Sequence, residues 1–187
     1  FPYPTLFRSV KGFDAVGAAL KTCWTSYRNV AAVQYRGERS ADREDGAMAV
    51  VIQEMIEGDW SGVSFTANPV NLALSEGLIN SVPGLGEALV SGEVNPEEIA
   101  IRASDGKILS RRAGDKPSPL PDDAVAEIWR VSKQIAGQLK FPQDLEWALR
   151  RGELFILQSR PITTIAALAY SRELEPSKDR TEADPDD

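Results

Sequence analysis

Histidine is missing from all 187 residues of this chain. That excludes His-based general acid–base catalysis, histidine metal sites and phosphohistidine intermediates within it. Cysteine occurs once, as Cys23, so no internal disulfide can form and a reducing compartment such as the cytoplasm is expected. One Cys without His leaves no ligand set for structural zinc. No apolar run approaches the roughly 20 residues of a membrane span, and the N-terminus carries no signal-peptide pattern. Positive charge is outweighed, with 21 Lys and Arg against 28 Asp and Glu and a net charge of −7. Non-specific association with nucleic acid or an anionic membrane is therefore not expected. What is there, 42% hydrophobic and 26% charged residues, is the composition of one soluble globular domain with a real core.

Residues 1–12 show no period and read as an edge of the domain or as residues foreign to it. Phe13 to Tyr27 reads as a packing helix, because Val16, Leu20, Cys23, Trp24 and Tyr27 recur at three- and four-residue steps. Cys23 falls on that stripe, which predicts a buried, inert thiol. Gly37 to Gly46 is charged and reads as a loop. Ala47 to Ile56 opens on an apolar run and predicts a strand buried on both faces. Strands follow at Ser61–Thr66, Gly77–Val82, Glu98–Arg102 and Ile108–Arg112, separated by Gly, Pro and Asp turns. Asp122 and Asp123 favour a helix start, and Val125, Ile128, Trp129, Ser132, Ile135, Ala136 and Leu139 give one helical face. Phe141-Pro142 stops it. Arg172 to Asp187 is charged, lacks an apolar period and reads as a solvated linker.

Asp144 to Leu149 and Leu154 to Thr163 read as two strands joined by a charged, Gly-containing turn. Side chains alternate faces along a strand, so Gln158 and Arg160 share one. A three-residue turn, Arg151 to Glu153, would set Glu146 opposite Gln158. A two-residue turn would send Glu146 to the other face. In the first register a carboxylate, an amide oxygen and a guanidinium project together, which suits Mg²⁺ and phosphate. The alternative from spacing alone is a solvated polar face. Gly84-Leu85-Gly86-Glu87 after a strand can let backbone amides approach a phosphate or sugar, although most Gly-x-Gly pairs are simply tight turns. Gln53-Glu54-Met55-Ile56 fits a hinge whose backbone reads an adenine edge, or merely a strand end. Ser61-Gly62-Val63-Ser64-Phe65-Thr66 offers small polar groups for a ligand wall, if something else points there.

In their order these segments resemble one family. Val51 to Ile56, Ser61 to Pro69, Ile79 to Gly92, and Pro142 to Trp147 with Leu157 to Thr163 are similar to the nucleotide-binding domain of phosphoenolpyruvate synthases, pyruvate phosphate dikinases and rifampicin phosphotransferases. The likeness runs from about Phe13 to Thr164, leaving 165–187 as linker. It implies an α+β fold, the second subdomain of an ATP-grasp, with a mostly antiparallel sheet and packed helices. It implies Gln53, Glu54, Met55 and Ile56 as the adenine hinge, Glu146 and Gln158 as Mg²⁺ ligands, Arg160 on the phosphates of ATP during transfer, and Glu87 near the ribose or phosphates.

The resemblance also implies a first subdomain with a Lys, an Arg and a glycine-rich loop, and a swivelling domain with a phosphorylated His. Neither is found in this stretch, which reads as a fragment whose own catalysis is undecided. The implied full reaction turns ATP, pyruvate and water into phosphoenolpyruvate, AMP and phosphate. The alternatives are a rifampicin-type acceptor or a nucleotide-binding module without catalysis.

Overall fold

The structure, a computed structural model, describes residues 7–26, 49–86, 89, 92–116 and 118–165. The chain divides into two units, Phe1–Met55 and Ile56–Asp187. In the first, helix α1 spans Phe13–Ser26. None of its residues is buried, Phe13 is 93% exposed and Trp24 55%, and Cys23 is half-buried rather than enclosed. The expectation of a packed helix with a buried thiol is corrected here. The stripe fixes which side of the helix is apolar, but a stripe becomes core only where a second element covers it.

The strand expected over Ala47–Ile56 is also not formed in its described part. Residues 49–58 take no regular structure, and Val51 is 84% exposed. A β-branched run makes an extended segment, yet a strand needs a ladder partner, and none of the described residues pairs with this one.

The second unit is α+β. Six antiparallel strands, β1 (Trp60–Phe65), β2 (Glu76–Pro83), β3 (Glu97–Arg102), β4 (Ile108–Arg112), β5 (Gln143–Arg150) and β6 (Glu153–Pro161), form one sheet in the order β4-β3-β2-β1-β5-β6. Helix α2 (Asp122–Leu139) crosses one face. Its first turn carries Asp122 and Asp123, which suit the positive end of the helix dipole. It ends at Lys140 in the left-handed conformation, φ 59°. Ile128 and Val125 of α2 pack with Ile79, Ile99, Ile101, Trp147 and Leu149 of the sheet, and this is the hydrophobic core. One hydroxyl pair, Ser64 Oγ with Ser132 Oγ at 2.7 Å, bridges sheet and helix inside it. Glu97, also buried, accepts from Arg111 at 2.7 Å and from the Leu120 N–H at 2.8 Å, fastening the connector before α2 to β3.

Strand β1 lies between β2 and β5, so its alternation sorts the whole sheet. Gly62 and Ser64 belong to the helix side, opposite Trp147 and Leu145 of β5. Ser61, Val63 and Phe65 belong to the other side, opposite Ala148, Glu146 and Asp144.

Candidate functional site

The site is built on the sheet face that α2 does not cover. Strand β5 brings Asp144 and Glu146 there, two residues apart. Strand β6 answers each directly: Arg160 stands opposite Asp144, and Gln158 opposite Glu146. Paired Cβ atoms across an antiparallel ladder lie about 4.5–5.5 Å apart, so the four side chains form a two-by-two patch.

The expected pairing of Glu146 with Gln158 holds, but the expected turn does not. The turn has two residues, Arg151 and Gly152, with φ of 53° and 79°, and Arg150 pairs with Glu153. Positive φ at both positions is the geometry of a tight hairpin whose twist matches its strands, and Gly152 supplies it without strain. By itself this turn would have put Gln158 on the helix side. A bulge reverses that. Glu146 pairs with Gln158 and the next residue, Trp147, with Ile156, so Leu157 is extra on β6. The bulge lets Leu154 and Ile156 pack on the core while Gln158 and Arg160 emerge on the opposite face.

Within the patch Arg160 Nε donates to Asp144 Oδ2 at 2.7 Å. Asp144 is 7% exposed, whereas the Arg160 side chain is 55% exposed. The carboxylate thus fixes the guanidinium by its inner edge and leaves it reachable. Asp144 Oδ1 is buried without a hydrogen-bond partner among the described residues, and so is Asn80 Oδ1. Asn80 stands opposite Val63, which stands opposite Glu146, so it shares the row of Glu146 and Gln158. Among the described residues no group of three or more His, Cys, Asp or Glu could hold a metal ion by itself. A carboxylate and an amide oxygen opposite one another, with an unsatisfied acceptor nearby, fit Mg²⁺, which keeps waters and takes phosphate oxygens for most of its shell. They do not fit a cage made by protein alone.

The glycine turn reaches the same face. Gly84, with φ of 81°, follows the end of β2. Its N–H donates to Asp59 O at 2.8 Å, and its own carbonyl accepts from Ser61 Oγ at 2.6 Å. Gln53, Glu54 and Met55 lie in the first unit in irregular backbone, with Gln53 and Glu54 exposed; Ile56 opens the second unit. Glu87 lies outside the described residues, as do Tyr27, Gly37 to Gly46 and Arg172 to Asp187. Asp144 was missed by sequence reasoning. Its signal was available, because the register that opposes Glu146 to Gln158 also opposes Asp144 to Arg160.

The model of the family described as "Pyruvate phosphate dikinase, AMP/ATP-binding domain" matches residues 3–119 and 118–181. The chain belongs to that family. Phosphoenolpyruvate synthase from Pyrococcus furiosus is 32% identical over 90% of the chain and 24% of its own length. Rifampicin phosphotransferase from Bacillus subtilis is 30% identical over 90% of the chain and 22% of its own length. A rifampicin phosphotransferase from Streptomyces sp. is 32% identical over 85% of the chain and 21% of its own length. The chain thus spans about a quarter of the relatives it matches. As a pyruvate phosphate dikinase-type AMP/ATP-binding domain it is a nucleotide-binding unit. Among its described residues no helix is long and apolar enough to cross a membrane.

Proposed function

We propose that the face carrying Asp144, Glu146, Gln158 and Arg160 holds the triphosphate of Mg-ATP, as the second subdomain of an ATP-grasp that spans residues 13–164. One observation carries the reading: the two cross-strand pairs, Glu146 with Gln158 and Asp144 with Arg160, sit side by side on one face. Glu146 and Gln158 would hold Mg²⁺ through oxygen. Bound there, the metal would supply charge neutralisation to the triphosphate. Arg160, kept in one orientation by Asp144, places its guanidinium against a phosphate and stabilises the charge that grows during transfer. Gln53, Glu54, Met55 and Ile56 read the adenine edge through backbone, and Glu87 meets the ribose or a phosphate.

In the whole protein this unit would serve a phosphoenolpyruvate synthase-like phosphotransferase of the cytoplasm. ATP, pyruvate and water would give phosphoenolpyruvate, AMP and phosphate, through a phosphohistidine on another domain. A rifampicin-type acceptor is the second reading, favoured by near-equal identity to both groups of relatives. Calorimetric titration with Mg-ATP tests the binding claim. Arg160→Ala should weaken binding, and Arg160→Lys should not restore it, since a point charge cannot reproduce the planar fork. Unchanged affinity in Arg160→Ala would refute the assignment.

A further inference from the structure

Ser61 is an almost fully enclosed hydroxyl, 5% exposed, on the face of Glu146 rather than the face of the core helix. Its Oγ donates to Gly84 O at 2.6 Å, and its Cβ lies so near Gly86 that a Cβ added there would sit 3.2 Å away. The glycine turn therefore rests directly on this side chain. The residues just before it complete the grip. Asp59 O takes the Gly84 N–H at 2.8 Å, Asp59 N–H donates to Leu149 O at 2.8 Å, and Asp59 Oδ2 takes the Arg151 N–H at 2.6 Å. Residues 59–61 thus tie the Gly84–Gly86 turn, the β5 ladder and the β5–β6 turn to the start of one strand.

That strand continues into the metal row. Val63, two residues on, stands opposite Glu146. With about 3.4 Å of rise per residue and about 4.8 Å between strands, the Cα atoms of Ser61 and Glu146 are about 8 Å apart. Neither the Leu85 nor the Gly86 N–H has a hydrogen-bond partner among the described residues. Two successive backbone donors beside a carboxylate–amide pair are suited to the acceptor oxygens of a phosphate or sugar.

We propose that Ser61 is a positioning residue for the nucleotide site: its hydroxyl holds the Gly84–Gly86 turn at a fixed distance from Glu146 and Gln158, so that nucleotide affinity depends on a side chain that does not itself touch nucleotide. The inference rests on the reading of this face as the triphosphate site and names what sets its second wall.

Strand β1 supplies its own control. Ser64 is a buried hydroxyl on the same strand but on the helix side, bonded to Ser132. Ser61→Ala and Ser64→Ala each delete one hydrogen bond of a buried serine, part-buried for Ser61 and fully buried for Ser64. In the 187-residue chain, Mg-ATP affinity would be measured by calorimetry beside the melting temperature, for both variants and for Glu146→Ala. Amide exchange at Leu85 and Gly86 would be followed with and without Mg-ATP. Ser61→Ala is expected to raise Kd about fivefold, the equivalent of one such hydrogen bond, and to lose the nucleotide protection of Leu85 and Gly86. Ser64→Ala is expected to lower the melting temperature while leaving Kd unchanged. If Ser61→Ala shifts Kd no more than Ser64→Ala does, while Glu146→Ala still abolishes binding, the positioning role is overturned and the site reading survives. If Glu146→Ala changes nothing, or the unsubstituted chain neither binds nor protects these amides, the site reading falls and takes this inference with it. Gly86→Ala, which keeps the hydroxyl but crowds Ser61, should mimic Ser61→Ala; normal affinity and protection in it would count equally against the proposal.

Discussion

Asp144 and Arg160 face one another across β5 and β6, joined from Oδ2 to Nε at 2.7 Å, with the carboxylate buried and the Arg160 side chain more than half exposed. The asymmetry separates stability from binding. Replacing Asp144 by Asn removes the buried charge together with its desolvation cost, and the Arg160 side chain, more than half exposed, remains solvated when released. Asp144→Asn should therefore leave the melting temperature nearly unchanged while weakening Mg-ATP binding, because Arg160 loses its fixed orientation. Calorimetry and a thermal melt on the same sample check this. A large drop in melting temperature with unaltered affinity would make the pair a structural brace.

The bulge at Leu157 makes a sharper prediction. Deleting Leu157 would close the bulge and keep every pair, with Ile156 opposite Trp147, Gln158 opposite Glu146 and Arg160 opposite Asp144. The variant should therefore fold and retain nucleotide binding. Lost binding in a folded Leu157 deletion would show that the local twist of the bulge, and not the register alone, shapes the site.

Arg151 occupies the left-handed region at φ 53°, where a non-glycine side chain is strained by roughly 1 kcal/mol. Arg151→Asn creates the sequence preferred in such a turn and keeps the N–H bond to Asp59 Oδ2. It should raise the melting temperature by about 2–4 °C without touching nucleotide affinity. Thermal unfolding monitored by circular dichroism is sufficient, and a lower midpoint would mean that the Arg151 side chain contributes a contact worth more than the strain.

Glu97 serves the fold alone. It accepts from Arg111, from Ser81 Oγ at 3.2 Å and from the Leu120 N–H. Glu97→Ala removes the acceptor of three donors, of which Arg111 keeps Leu120 O and Asp122, and should cost about 1–3 kcal/mol. Denaturant unfolding measures it; a loss below about 1 kcal/mol would show that water takes over the three donors.

Much of this was legible in the sequence, and where it was not the reasons are specific. Helix α2 and strand β4 fall where periodicity and turn residues put them, because Val125, Ile128 and Trp129 recur on one face and Asp105-Gly106 marks the turn before Ile108. Glu146 and Gln158 were paired correctly by way of the wrong turn. A two-residue turn and a one-residue bulge together give the same register as a three-residue turn, and counting along the chain cannot separate the two. The segment around Val51 misled because apolar content signals an extended chain without naming its partner. Asp144 escaped notice because its role depends on Arg160, sixteen residues away, once the register is known.

The central claim, that Glu146 and Gln158 hold the metal of Mg-ATP, is tested most directly by titrating the chain with ATP in the presence and absence of Mg²⁺, beside Glu146→Ala. Mg²⁺ should strengthen binding to the unsubstituted chain. In Glu146→Ala that enhancement should be lost, with affinity for Mg-ATP falling by at least the roughly tenfold that loss of even an outer partner of a metal costs. Full Mg²⁺-dependent affinity in a folded Glu146→Ala protein would contradict it and place the metal elsewhere.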